Sequence, residues 1–221
     1  MILWPWVKTG GLFLRPELAD DSGLVAVGGD LRPERLLEAY RRGVFPWYDD
    51  GDPVCWWSPD PRAIIELDAL HVSRRLRRTI RSGRFTCTVN RDFVGVIRAC
   101  ADRPGQGTWI TADMMEAYET LHELGHAHSV EAWSQGVLAG GLYGVAVGGL
   151  FAGESMFSRL RDGSKVALVY LVDRLRQRDF KLFDIQLLTE HTASLGAVEI
   201  PREQYLVRLR RALACRRATF V

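Results

Sequence analysis

Apolar residues recur at helical spacing in several stretches of this 221-residue chain. Leu36, Leu37 and Tyr40 form a stripe between Pro33, which suits a first helical turn, and Gly43, which suits the position just past a helix end. A second helix is expected from about Ser73, with Leu76 and Ile80 inward and arginines outward. The stretch 92–101 carries Phe93, Val96 and Ile97 at the same spacing. Thr111 can cap a helix holding Met114, Ala117, Leu121 and Leu124, closed by Gly125. Ser164 is expected to cap a long helix through about Arg178, with Leu168, Leu171, Val172 and Leu175 inward. A last helix is expected from about Arg202 to Ala214.

Between these helices the period changes. Residues 85–89 read as a strand, and residues 128–133 and 137–157 are apolar, β-prone and punctuated by glycine. The pairs Gly140-Gly141 and Gly148-Gly149 suit hairpin turns or bulges, so an antiparallel meander is expected there. Residues 180–186 alternate as another strand, followed by a short helix that stops at Gly196. Strands, a helix, a strand and a helix around a mostly antiparallel sheet make α+β the natural class. The first sixty residues differ in texture. They hold six of the nine prolines and five of the seven tryptophans, Trp4 and Trp6 among them, and so read as a small loop-rich module with one helix.

Composition narrows the class. With 47% hydrophobic and 25% charged residues, the chain is globular and long enough for one core plus a small module. It has no run of about 18 apolar residues, so no membrane span is expected. The opening MILWPWVKTG lacks a basic segment followed by a long apolar one, which argues against a secretory signal and for the cytoplasm. Cys55, Cys87, Cys100 and Cys215 form no CxxC pair and have no histidine cluster beside them, so neither a metal site nor a disulfide framework is expected. Net charge is only +2, but arginines crowd residues 74–84 and 208–217. Either run reads as a solvated helix face or as a contact for nucleic acid.

The chemistry-bearing candidates are few. In Phe180 to Gln186, alternation puts Asp184 and Gln186 on one face, about 7 Å apart, with Phe183 and Ile185 on the other. An acid and an amide on an apolar strand are costly unless paired or used. The alternatives are a strand end emerging into solvent and a cap for the next helix. Glu154 in FAGESMFSR stands in an apolar, glycine-rich strand, where it could neutralise a basic ligand group or pair with a structural arginine; Met156 beside it is core or pocket. Tyr40, Trp47 and Trp109 sit in or beside turn-rich segments, and aromatic faces near a basic helix can stack unpaired bases or simply pack.

Several unbroken strings then resemble one family. They are VAVGGDLRPERLLEAYRRGVFPWY, WWSPDPRAI, HVSRRLRRT, GTWIT, GGLYGVAVGGLFAGESMFSR, SKVAL, FDIQ and HTASLGA. In order and spacing, from about residue 11 to residue 206, they resemble leucyl/phenylalanyl-tRNA–protein transferases of the bacterial N-end degradation pathway. The resemblance implies a small N-terminal domain, residues 1–62, and a catalytic domain of the acetyltransferase-like (GNAT) fold, residues 63–221. It implies transfer of Leu, Phe and less often Met from the 3′ acceptor end of aminoacyl-tRNA to proteins beginning with Arg or Lys, with no cofactor. It places Asp184 and Gln186 on the catalytic pair and Glu154 on a pocket acid. Met156, Leu168 and Leu171 would line the amino-acid pocket. Tyr40, Trp47 and Trp109 fall near the terminal adenosine, and Arg74, Arg77 and Arg78 in the helix that receives the tRNA. Ile185 stands where the family often has Cys, at a position expected to point away from the site. Gly163, Leu171 and Phe183 also depart from common family residues, which bears on the preference among Leu, Phe and Met.

The activated ester needs no ATP. Holding an amine against it can supply on the order of 7–11 kcal/mol of the acceleration, with Asp184 orienting or accepting a proton and Gln186 donating an N–H. Two rival readings are an acyl-CoA-dependent N-acetyltransferase and a non-catalytic RNA-binding module. The first needs a glycine-rich pyrophosphate loop, which SRLRDGS before the Ser164 helix lacks. The second makes Asp184 and Gln186 dispensable.

Overall fold

The computed structural model describes residues 15–102 and 107–221. The opening decapeptide, with Trp4 and Trp6 and the reading against a secretory signal, lies outside the described residues, as does part of the loop before Trp109. Among the described residues, no helix is long and apolar enough to cross a membrane.

The N-terminal part is a three-stranded antiparallel sheet and one helix. Strands β1 (Leu24–Val27), β2 (Phe45–Pro46) and β3 (Cys55–Trp57) assemble in the order β1-β3-β2. Helix α1 (Pro33–Arg41) starts at Pro33 and buries Leu36, Leu37, Ala39 and Tyr40. Gly43 follows it with φ +77, where a Cβ would lie 2.8 Å from the Tyr205 ring, so the glycine serves both the turn and the packing.

The second sheet starts at Arg62. Its strands are β4 (Arg62–Ile65), β5 (Thr86–Val89), β6 (Ala127–Ser134), β7 (Val137–Val147), β8 (Leu150–Ser158), β9 (Leu182–Gln186) and β10 (Ala197–Ile200), in the order β10-β4-β9-β8-β7-β6-β5. Every neighbouring pair is antiparallel except β8 and β9. The β5-to-β8 run is the expected meander. The parallel step needs a crossover, supplied by helix α5 (Gly163–Gln177).

Helices cover both faces. On one face α5 buries Val166, Leu168, Leu171, Val172 and Leu175 against Leu142, Phe151 and Phe183. Helix α2 (Arg74–Arg81) contributes Leu76 to the same cluster and keeps its arginines outside. On the other face lie α1, α3 (Phe93–Ala101), α4 (Ala112–Glu123) and α7 (Arg202–Leu213). Ser73, Asp92 and Thr111 accept the backbone N–H groups of Leu76, Gly95 and Met114, and so cap α2, α3 and α4.

Two expectations are corrected. Ser164 does not cap α5. The N-cap is Asp162, held left-handed at φ +74, and Ser164 lies within the first turn, its N–H donating to Ser158 Oγ. Gly140-Gly141 is no turn but follows a bulge: the pair lies within β7, Ala139 is an extra residue opposite the Ala132/Trp133 step, and the chain reverses instead at Gln135-Gly136. Glycine is required at 140 because β7 touches the start of α5 there. A Cβ at Gly140 would fall 2.5 Å from the Gly163 carbonyl carbon, and one at Gly163 would fall 2.7 Å from the Ala139 oxygen. Gly148-Gly149 does form the hairpin turn between β7 and β8.

Candidate functional site

The parallel pairing of β8 with β9 is brief. Leu150, Phe151 and Ala152 pair with Leu182, Phe183 and Asp184, and there the register ends, although β8 runs on to Ser158 and β9 to Gln186. Both strands bulge at this point. Glu154 is an extra residue between Gly153 and Ser155 opposite the Gly144/Tyr143 step, and Ile185 is an extra residue opposite the Ala63/Ile64 step. Bulges re-aim side chains and end pairing. Gln186 then leaves the extended region, at φ +65.

A cavity of about 630 Å³ occupies the resulting split. One wall is β8 from Gly153 to Ser158, and the opposite wall comes from Phe183, Ile185, Leu187 and the start of helix α6 (Glu190–Ala193). Leu142, Met156, Phe183 and Ile185 make its apolar part, and Glu154 brings a carboxylate.

Asp184 is buried behind this wall. Its Oδ1 accepts from Arg62 Nε at 2.9 Å and from the Gln186 backbone N–H at 2.9 Å. Its Oδ2 accepts from Arg62 Nη2 at 2.7 Å and from the Tyr205 hydroxyl at 2.8 Å. Arg62 is itself 1% exposed, donates to the Gly43 carbonyl, and lies between the Phe45 and Tyr205 rings at 4.8 and 4.5 Å. Burial works against its charge, but the Asp184 carboxylate, helped by the Tyr205 phenol and Glu154, outweighs it and keeps the guanidinium firmly protonated. Burial drives the Tyr205 phenol well above its ordinary range.

Glu154 has a different shell. Its Oε1 accepts from Gln186 Nε2 at 2.9 Å and its Oε2 from the Tyr118 hydroxyl at 3.1 Å. Tyr40 and Tyr118 share a 2.5 Å hydroxyl contact behind it. No cation is bonded to it among the described residues. Burial pushes its carboxyl up to about 7, opposed by the tyrosine hydrogen bonds and only weakly by Arg62. Gln186 therefore links the two acids: its backbone holds Asp184 and its side chain holds Glu154.

The split thus brings Glu154 and Met156 to the cavity; Asp184 and Gln186 do not line it but are tied to Glu154 through the Gln186 amide, and Tyr40 joins through Tyr118. It does not gather every candidate. Tyr40 is buried, with no ring face open for stacking. Trp47 is 43% exposed and tilts against Trp57 at 6.4 Å, and Trp109 is half-buried against the α1/α3/α4 core; neither lines the cavity. Leu168 and Leu171 are fully buried in the cluster that supplies Leu142, Met156 and Phe183 to the cavity, one layer behind its surface. Arg74, Arg77 and Arg78 stand exposed on α2. Ile185 is a correction. It does point away from Asp184, as alternation requires, but the open space lies on that side and Ile185 lines it.

Arg62, Tyr118 and Tyr205 are site residues that sequence reasoning missed. Arg62 carried a faint signal, a charge heading the apolar strand RAII. Tyr118 falls at helical spacing with Met114 and Leu121 and so reads as core.

Comparisons with known proteins cover most of the chain. Residues 29–60 match the family description "Leucyl/phenylalanyl-tRNA protein transferase N-terminal domain", and residues 64–210 match "Leucyl/phenylalanyl-tRNA protein transferase". A relative in Anaeromyxobacter sp. (strain Fw109-5), named leucyl/phenylalanyl-tRNA–protein transferase, is 57% identical over 204 residues, covering 91% of this chain and 87% of that one. One of the same name in Nitrosospira multiformis is 52% identical over 210 residues, covering 93% and 90%. Among solved structures, that of L-PGS from Bacillus licheniformis aligns at a TM-score of 0.43 and 14% identity, over 84% of this chain and 71% of that one.

Proposed function

The chain belongs to the leucyl/phenylalanyl-tRNA–protein transferase family, and from that premise we propose how its strand split carries out the transfer. The enzyme is an aminoacyltransferase that moves an amino acid from aminoacyl-tRNA to a protein N-terminus. In the proposal the donor is Leu, Phe or less often Met, its side chain resting on Leu142, Met156, Phe183 and Ile185, backed by Leu168 and Leu171. The acceptor begins with Arg or Lys, and the product is marked for N-end-rule degradation in the cytoplasm. Residues 1–62 act as a small N-terminal domain, and residues 63–221 as an acetyltransferase-like (GNAT) catalytic domain whose split parallel pair holds the reacting ester.

The reaction forms one C–N bond and breaks one C–O bond. The neutral α-amine attacks the ester carbonyl, the terminal ribose oxygen leaves, and the amine proton ends on that oxygen. Asp184 has both oxygens occupied by Arg62, Tyr205 and Gln186, so its role is to anchor Gln186 rather than to meet the amine. Gln186 fixes Glu154 and presents its amide at the reaction site. Glu154, with no cation bonded to it among the described residues, receives the acceptor's basic first residue. Trp47 and Trp109 would stack on the terminal adenosine, with Tyr40 acting through Tyr118 on Glu154. Arg74, Arg77 and Arg78 would bind tRNA phosphates in a salt-dependent, sequence-blind manner.

The observation that carries this reading is the buried Glu154 carboxylate, bonded among the described residues by neutral donors alone and lining a cavity with an apolar part. Labelled Leu-tRNA offered to two peptides that differ only in a first Arg or Gly tests it. The Arg peptide should be labelled at least tenfold faster, and Glu154→Gln should remove about 30- to 100-fold of that rate, as expected for a lost charged hydrogen bond. Equal labelling of the two peptides, or wild-type preference in the variant, would refute the acceptor role.

A further inference from the structure

One polar atom in the cavity wall has no hydrogen-bond partner among the described residues. His191, in α6, lines the cavity, and its Nε2 is buried without a hydrogen bond to any described residue. Burial, then the Lys165 ammonium nearby, hold the imidazole below its ordinary pKa, so the ring is neutral at physiological pH and each nitrogen can make one hydrogen bond. A buried polar nitrogen left unpaired is costly, and a ligand group that reaches it is recognised by relieving that cost.

The shape of the cavity says which ligand group that is. Past Ala152, β8 has diverged from β9, and the stretch from Gly153 to Ser158 faces the cavity with α6 across from it. Such a slot suits an extended segment of polypeptide. The donor is a single amino acid on an ester and carries no peptide groups. Acceptor proteins share a first residue and differ afterwards, so any grip beyond that residue must fall on what all polypeptides have, their backbone amides. We propose that the acceptor lies extended in the split between β8 and α6, and that one of its first peptide groups hydrogen-bonds to His191 Nε2. This rests on the cavity being where ester and amine meet. It adds a backbone-binding residue that neither the acid–amide set nor the arginine helix supplies.

The test is a series of Arg-starting peptides in which each of the first three amides is replaced in turn by an ester, which lacks the N–H and has a weaker carbonyl acceptor. Leu-tRNA is the donor and the full-length chain the enzyme. With wild type, one replacement should raise the acceptor KM about 5- to 10-fold, with kcat and donor KM unchanged. His191→Phe should raise the acceptor KM of the all-amide peptide by a similar factor and show no further penalty at that one position. His191→Asn, which can still pair, should recover part of the loss. The inference is overturned if no ester position affects wild type, if the penalty persists undiminished in His191→Phe, or if the variant's loss falls on the donor KM. Wild type that transfers nothing to the Arg peptide would remove the reading of the cavity, and this inference with it.

Discussion

Asp184 and Glu154 are two buried acids on neighbouring strands, joined by one glutamine, and they are satisfied in opposite ways. Asp184 faces α7 and meets a bidentate guanidinium, a phenol and a backbone N–H, so its charge is neutralised within the protein. Glu154 faces the cavity and meets only an amide and a phenol, so its charge is left for something else to balance. Burial is nearly the same, at 1% and 9% exposed. What differs is the cation. A paired acid organises structure, whereas an acid denied a cation discourages its own ionisation and favours a cationic visitor.

The same acid-to-amide change at each position separates the two regions. Asp184→Asn leaves Arg62 as a buried, half-bonded cation and should cost about 3–5 kcal/mol, read from the midpoint of urea unfolding at constant slope. Glu154→Gln strands no cation, and its effect should depend on pH. The folded state raises this carboxyl from 4.5 to about 7, so the fold prefers it protonated. That preference stabilises fully below pH 4.5 and is lost as pH rises through 7. Between pH 4.5 and 8 the wild type should therefore lose about 3 kcal/mol relative to Glu154→Gln, measured by parallel denaturant titrations. Equal stability losses for the two amides at pH 8 would break the comparison outright. Smallest is Tyr118→Phe. It removes the hydrogen bond to the Glu154 carboxylate and the contact with the Tyr40 hydroxyl, should cost about 1–2 kcal/mol, and should move the Glu154 titration further upward, visible in its side-chain carbonyl resonance.

Local pattern reached much of this structure. Helices α1, α2, α3, α4 and α7 and the β5-to-β8 meander are written in apolar spacing, caps and glycine stops, all read within a dozen residues. Strands β4 and β10 went unassigned because each is four residues long and is stabilised by partners far along the chain. The Arg62–Asp184 pair is 122 residues apart in sequence, so only the β4–β9 pairing reveals it. Alternation placed Asp184 opposite Ile185 correctly, but it held no information about which side was hollow. The hollow arises where two bulges fall at the same level of a parallel pair, and a bulge is a property of register between strands, not of either strand alone. The similarity of ordered motifs is what joined Asp184, Gln186 and Glu154 before any of those contacts were visible.

The backbone contact between Gly140 and Gly163 has a consequence for anyone wishing to retarget this enzyme. With main chain resting on main chain, the start of α5 is pinned by the backbone itself and not only by the side chains that line the cavity. Swaps at Met156 or Ile185 should therefore reshape the donor's resting place one wall at a time while the start of α5 holds still, whereas a swap at Phe183, buried against α5, also disturbs the helix packing. Any side chain at residue 140 would act as a wedge, tilting the helix and blurring every wall together.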